Sequence, residues 1–248
     1  MTGVQTCALP IYLVFGRLNA SAGDYGPHAH GNVSASVMLA MASFSACLGA
    51  TSASAAAAVE QSAGWGRQMA VTTQGLRGYL AVKVGTAVGT AVLPVVVVLG
   101  AGALTDSQME GWVWAASPLA CLAGVLPFVL WGLAAGMWLP SSTSIGIATS
   151  LVSLFAFAGN ALMPLNHTLM TVSRFTPMYG STALARWSLG QGWTYVSDRP
   201  EGVQDSLWMP LANLGAWTLI FGLLVIGARR RATGDRKSTR LNSSHEPL

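Results

Sequence analysis

The residues of this chain that could do chemistry are few, and their spacing favours none of the common active sites. His28 and His30 could offer imidazole nitrogens to a metal. Residues two apart do not share a helix face, however, and no nearby cysteine or second histidine pair completes a ligand set. No GxxxxGKS/T loop occurs, so the chain lacks the phosphate-binding loop with which many proteins hydrolyse ATP.

The sequence gives equally little indication of nucleophilic catalysis. No arrangement of Ser, His and Asp or of Cys and His stands out. An intramembrane enzyme would need such groups, or metal ligands, within the apolar stretches. Serine and threonine are plentiful there, but they readily bond to helix backbone and pack between helices. We therefore expect no catalytic, cofactor-binding or metal-binding residues, and no enzymatic activity.

The composition indicates a membrane protein. Hydrophobic residues make up 52% of the chain and charged residues only 9%, whereas soluble domains carry about a quarter charged residues. The mean hydropathy is +0.50, so lipid is the simplest solvent for this surface. The net charge of +4 could suggest nucleic acid, but the cations flank apolar segments and fill the C-terminal tail without interleaved aromatic residues. We expect no nucleic-acid partner.

Both ends of the sequence look foreign to the rest. Residues 1–11 (MTGVQTCALPI) and residues from about 236 onward (RKSTRLNSSHEPL) resemble translated sequencing-adapter read-through. We exclude them from fold reasoning. Residues 12–16 are then expected to be the remnant of a truncated first spanning helix, and residues 232–248 a cytoplasmic tail.

Uncharged intervals predict the membrane spans, because a hydrocarbon core about 30 Å thick needs roughly 20 apolar residues per helix. The predicted spans are residues 33–59, 84–105, 116–137, 145–162 and 207–228. The small residues of the span at residues 33–59 favour close helix packing over lipid exposure. Together with the truncated first helix they predict an all-α, polytopic bundle of six spans over residues 12–231.

The cations predict the orientation of this bundle by the positive-inside rule. Arg67, Arg77 and Lys83 follow the span at residues 33–59, and three arginines at residues 229–231 follow the last span. Four spans separate the two groups, so both can be cytoplasmic. We expect a multi-pass protein of a prokaryotic cell membrane with its C-terminus in the cytoplasm.

Aromatic and proline residues mark the span ends. The tryptophans at positions 112, 114, 138 and 208 lie where an amphipathic ring is favoured at headgroup level, and we interpret them as anchors. The prolines at positions 94, 127 and 210 lie within or beside spans, where neighbouring helices can satisfy the freed carbonyls. They could alternatively be gating kinks.

The cytoplasmic loop over residues 60–83 is the most informative segment. A short helix there could present Trp65 and Met69 to an apolar groove while Arg67 and Gln68 face water, as in helices that dock on a partner or on headgroups. The alternative is an ordinary interfacial loop.

This loop resembles the stretch after the second helix of ABC-2-type transporter permeases. A Glu, a Gly, an Arg and a Thr recur there before a Lys that opens the third helix. The corresponding residues here are Glu60, Gly64, Arg67, Thr72 and Lys83. The chain departs from the family pattern at Gln61, where Arg is frequent, and at Thr73, where Pro is frequent.

A second resemblance to the same family lies after the predicted span at residues 145–162, which is the fifth of the six. Gly159, Pro164, Arg174, Pro177 and Tyr179 look like the Gly, Pro and Thr-Pro landmarks of its external segment. In the family that segment forms short helices dipping into the outer leaflet before the last span. The same arrangement is therefore expected here.

The resemblance implies the permease subunit of an ATP-driven exporter. Such permeases act as dimers, of two copies or of a copy with a paralogue, above separate ABC ATPase subunits that bind the ATP. The loop over residues 60–83, including Trp65, would then couple the ATPase to the helices. Cargo by family analogy includes drugs (multidrug efflux), antibiotics, lipids or polysaccharide intermediates. The alternative is a membrane anchor or assembly subunit with no transport path of its own.

Overall fold

A computed structural model of the chain describes residues 5–18, 23–26, 28–62, 75–139 and 141–243. Most of these residues are helical. The longer helices are α1 (Gln5–Leu18), α2 (Val33–Ser62), α3 (Gly75–Ala103), α4 (Gly111–Ala123), α5 (Leu126–Trp138), α6 (Thr143–Ala158) and α10 (Trp208–Ser243). Three short helices and a hairpin precede α10, namely α7 (His167–Ser173), α8 (Pro177–Ala185), α9 (Trp187–Gly190), β1 (Trp193–Val196) and β2 (Arg199–Gln204).

The predicted helical fold class is therefore borne out, with one small exception. Strands β1 and β2 pair antiparallel, with Trp193 opposite Gln204 and Thr194 opposite Val203. Gly202 lies within β2 at φ +69°, a backbone conformation that glycine adopts without strain. The two short strands carry no clear alternation of apolar and polar residues, so the sequence did not predict this hairpin.

Helix α2 forms the centre of the bundle. It packs against α1, α3, α5 and α6, and most of its side chains are fully buried. This confirms the prediction that its small residues serve helix packing. Close approach requires glycine on the facing helices: a Cβ at Gly132 of α5 would lie within 2.4 Å of the Thr51 carbonyl oxygen of α2.

The span predicted at residues 116–137 is longer than predicted and broken in the middle. It runs as Gly111–Trp138 and is divided into α4 and α5 by a turn at Gly124 and Val125. Pro127 follows the turn at the start of α5, where its missing N–H disrupts no helical bond. Pro94, by contrast, lies inside the continuous helix α3.

Helix α6 ends earlier than the predicted residue 162. Its last residue is Ala158, and Gly159 caps it. Asn160 then has φ +57°, a left-handed conformation that asparagine tolerates better than most residues. The chain leaves the helix there and turns towards α7, so residues 159–162 belong to the connecting segment.

The two ends of the bundle are defined by contacts between helix termini. At one end, Asn32 Nδ2 donates to the Asp106 carbonyl at 2.7 Å, which joins the start of α2 to the loop after α3. At the other end, Trp138 Nε1 donates to the Leu224 carbonyl at 3.1 Å, and the Arg231 guanidinium lies 5.6 Å from the Trp138 ring centre. The C-terminal half of α2 also reaches this second end, because Ala55 and Ala58 lie against Gly136 of α5.

Within the described residues, three helices are long and apolar enough to cross a membrane. They are Val33–Gln61, Gly111–Trp138 and Trp208–Arg231. Two shorter apolar helices, Val88–Ala103 and Thr143–Ala158, accompany them. The helical, apolar architecture is that of a membrane protein.

The predicted remnant at residues 12–16 lies within α1. Tyr12 of this helix is fully buried, and its hydroxyl lies 2.7 Å from Thr105 Oγ1 and 2.8 Å from Ser107 Oγ. Tyr12 thereby ties α1 to the loop after α3.

Candidate functional site

The predicted coupling loop is described only at its edges. Glu60 is half-buried near the C-terminal end of α2, and Lys83 lies within α3. Gly64, Trp65, Arg67 and Thr72 lie outside the described residues. The proposed amphipathic helix at this loop stays a prediction. What the structure adds is that Glu60 belongs to the most deeply packed helix of the bundle.

Gly159 and Tyr179, two of the residues predicted as landmarks of the external segment, lie against each other. An added Cβ at Gly159 would lie 2.6 Å from Met178 Cβ and 2.9 Å from the Tyr179 nitrogen, so only glycine permits α8 to approach the end of α6 this closely. Pro177 occupies the first turn of α8, with Thr176 as the preceding cap residue. Helix α8 packs in turn on α10, α2 and α4.

A buried ion pair holds the external segment to the start of α10. Arg174, at the end of α7, places its guanidinium 2.5 Å from Asp205 Oδ1, and the Asp205 side chain is only 4% exposed. Tyr179 donates its hydroxyl to Asp205 Oδ2 at 2.6 Å. Burial, followed by the hydrogen bond and charge of Asp205, raises the pKa of Tyr179, which therefore stays a neutral donor.

Asn213 of α10 completes this connection. Its Nδ2 donates to the carbonyls of Arg174 at 2.7 Å and Thr176 at 3.0 Å, and its Oδ1 accepts from the Gly180 nitrogen at 3.2 Å. One amide side chain thus satisfies backbone groups on both sides of the start of α8. The external segment and the last long helix consequently form one hydrogen-bonded unit.

Arg186 connects the same segment to α2. Its Nε donates to the Ser36 carbonyl at 3.1 Å and its Nη1 to the Asn160 carbonyl at 2.9 Å. Asn160 is buried, and its Oδ1 also accepts from the Leu165 nitrogen at 3.1 Å. Pro164, another predicted landmark, lines the cavity that Arg186 borders.

One of the two histidines, His30, forms a polar cluster at the end of the bundle where α2 begins. His30 Nδ1 lies 2.8 Å from Glu110 Oε1, and His30 Nε2 lies 2.6 Å from Gln191 Nε2. This pattern fits an Nδ1–H tautomer that donates to Glu110 and accepts from the Gln191 amide. Trp112 Nε1 also donates to Glu110, at 2.7 Å. No group of three or more potential metal ligands lies together in the part of the chain that the structure describes.

The hydrogen bonds of Glu110 make the free energy of unfolding depend on pH. The hydrogen bonds from His30 and Trp112 lower the pKa of Glu110 below its ordinary value. A lowered pKa in the folded state adds stability above the unfolded value of about 4.3, and this contribution is lost as the pH falls through the folded value. We expect Glu110→Gln to narrow the difference in thermal unfolding midpoint between pH 6 and pH 3 in detergent. Asp106→Asn in the same loop is the control, and equal effects of both variants would contradict the assignment.

Three residues of these contacts were not predicted as site residues. They are Arg186, Asp205 and Asn213. A polar residue inside an apolar helix, as at Asn213, and an arginine in a segment otherwise rich in small and apolar residues, as at Arg186, are the signals that could have found them. Their partners lie far away in sequence, so the pairing itself could not be predicted.

No family model matches the chain, and no curated protein or solved structure shows significant similarity to it.

Proposed function

We propose that this protein is the permease subunit of an ABC-2-type, ATP-driven exporter in a prokaryotic cytoplasmic membrane. Two permeases, identical or paralogous, would form the translocation path between them. A separate ABC ATPase subunit would supply the energy, since the sequence carries no GxxxxGKS/T loop. The proposal rests on the family resemblance of the loop over residues 60–83 and of the external segment, to which the fold adds a mechanical argument.

The observation that carries the proposal is the position of α2. Glu60 stands near one end of this helix, and Ser36, near the other end, accepts a hydrogen bond from Arg186 of the external segment. Between these points most of the helix is buried against α1, α3, α5 and α6. A packed helix transmits displacement as a rigid body, because interiors have little free volume to absorb it. Movement at the loop would therefore reach the opposite end of the bundle.

The arrangement of the helix ends also supports the proposal. The C-terminal half of α2 and the arginines at residues 229–231 lie towards the same end, as an even number of crossings between them requires. The six-span layout counts α1, α3 and α6 as spans beside the three long apolar helices. Helix α6 has 16 residues, about 24 Å at 1.5 Å per residue, and its neighbouring polar turn would lie at the membrane surface.

Substitutions in the loop test the coupling role. We expect Glu60→Ala and Arg67→Glu each to reduce ATP-driven export by about ten-fold, which corresponds to ~1.4 kcal/mol of coupling free energy, within the usual range. The measurement is transport into inside-out vesicles that contain the chain and an ABC ATPase that co-purifies with it. Arg231→Gln, at the same end of the bundle but outside the loop, is the matched control. Normal export by both loop variants would refute the coupling assignment.

The alternative function is a membrane anchor or assembly subunit without a transport path. It predicts that an ATPase co-purifying with the chain hydrolyses ATP at the same rate with and without the permease, and at the same rate with Glu60→Ala. The exporter proposal predicts that hydrolysis rises when the chain is present and that the variant removes this rise. ATPase assays in nanodiscs distinguish the two.

A further inference from the structure

A cavity of about 90 Å³ borders Arg186 and opens between α1, the first turns of α2 and the segment after α6. The guanidinium has five N–H donors, and its bonds to the Ser36 and Asn160 carbonyls use two of them. Both acceptors are neutral. None of the described residues lining the cavity is acidic, so the positive charge has no counterion in this wall.

Tyr25 provides an independent observation in the same cavity. Its side chain is only 6% exposed, and its hydroxyl has no hydrogen-bond partner among the described residues. Buried polar groups are almost always paired, because leaving one unpaired forfeits its hydration without a replacement. A residue whose hydroxyl has no partner among the described residues and a guanidinium that has only neutral acceptors therefore line one cavity.

Most of the remaining lining is apolar, although Tyr195 also borders the cavity. Val37 and Leu162 line the interior, while Phe15 is 48% and Met163 is 53% exposed beside it. At about 90 Å³ the cavity is far smaller than a typical drug-sized pocket of roughly 300–1,000 Å³, so it suits a small anionic group. Ser36 lies one turn inside the start of α2, near the end of a candidate span, where lipid headgroups would lie.

We propose that this cavity binds the phosphate of an anionic membrane phospholipid, with Arg186 and the Tyr25 hydroxyl donating to the phosphate oxygens and the acyl chains lying along Phe15 and Met163. Guanidinium and phosphate form strong charge-assisted hydrogen bonds. The apolar rim distinguishes a lipid from free phosphate, because only a lipid covers it. The inference depends on the chain residing in a membrane and not on export, so it holds whether or not the protein transports anything.

The test measures binding of dioleoylphosphatidylglycerol to the delipidated full chain in maltoside detergent, by native mass spectrometry. Dioleoylglycerol, which has the same chains without the phosphate, and inorganic phosphate are the comparison probes. We expect saturable binding of one phosphatidylglycerol, weakened about ten-fold by Arg186→Gln and by a similar factor by Tyr25→Phe, as for a lost hydrogen bond to a charged group. Both comparison probes are expected to bind at least ten-fold more weakly.

Tyr25→Phe distinguishes a loss of lipid binding from a loss of folded protein. Because the Tyr25 hydroxyl has no partner in the part of the chain that the structure describes, this variant should leave the unfolding midpoint of the lipid-free protein unchanged while weakening lipid binding. Arg231→Gln, an exposed cation at the opposite end, should bind lipid like the unsubstituted chain. Unchanged binding by Tyr25→Phe, equal weakening by Arg231→Gln, or inorganic phosphate binding as tightly as the lipid would each overturn the proposal.

Discussion

Replacing Gly132 with leucine is expected to destabilise the bundle by about 3 kcal/mol or more, or to prevent its assembly. An added Cβ at this position would lie 2.1 Å from Ser54 Oγ and 2.4 Å from the Thr51 carbonyl oxygen of α2. The second contact is with backbone, so no rotation of a side chain relieves it. Helices α2 and α5 would have to separate along their shared face, and the packing of both would be lost.

The measurement is the thermal unfolding midpoint in detergent, together with the monodisperse fraction in size-exclusion chromatography. Gly100→Leu in α3 is the matched control, because a Cβ there meets nothing within 4 Å and the helix gains from losing a glycine. Gly136→Leu on α5 should behave like Gly132→Leu, since its Cβ would lie 2.5 Å from the Ala55 carbonyl. Equal midpoints for Gly132→Leu and Gly100→Leu would contradict the packing described for α2.

Removing the charge of Asp205 is expected to cost about 3 kcal/mol of stability, because the Arg174 guanidinium would remain largely buried without its partner. Asp205→Asn retains one oxygen, which can accept from Tyr179, and replaces the charged oxygen that faces Arg174 with a neutral amide group. Asp205→Ala removes that acceptor as well and should be more damaging. Unfolding of α7, α8 and the start of α10 is expected to precede that of the rest of the chain.

A double-mutant cycle checks this expectation. Arg174→Met combined with Asp205→Asn removes both charges. The double variant should lose less free energy of unfolding than the two single variants lose together. Unfolding midpoints and amide hydrogen exchange over residues 167–214 provide the readouts. Additive effects, or protection in α8 that does not change in Asp205→Asn, would show that the ion pair does not hold the external segment to α10.

The helical elements were largely predictable from local sequence. Uncharged intervals located α2, α3 and α10, because apolar residues and the absence of charges are properties of a segment by itself. Their ends were less predictable. The turn at Gly124 divides an interval that has no charge to mark it, and α6 ends at Ala158 although the apolar sequence continues to Leu162.

The small residues of α2 were correctly interpreted as a packing surface, but the pattern did not specify the partners. Ala, Ser and Gly indicate that another backbone can approach closely. Which backbone approaches depends on how all the helices pack together. That Gly132 meets Thr51, and Gly49 meets the Thr90 carbonyl, follows only from the assembled bundle.

The sequence by itself determined that this chain is helical, apolar and suited to a membrane, because hydropathy and charge spacing are local quantities. Only the tertiary structure decided that Arg174 pairs with Asp205, that Arg186 binds backbone carbonyls from two separate segments, and that Tyr25 borders the same cavity as Arg186. These contacts join residues far apart along the chain. They arise because satisfying buried polar groups is a condition on the whole packed bundle and not on any one helix.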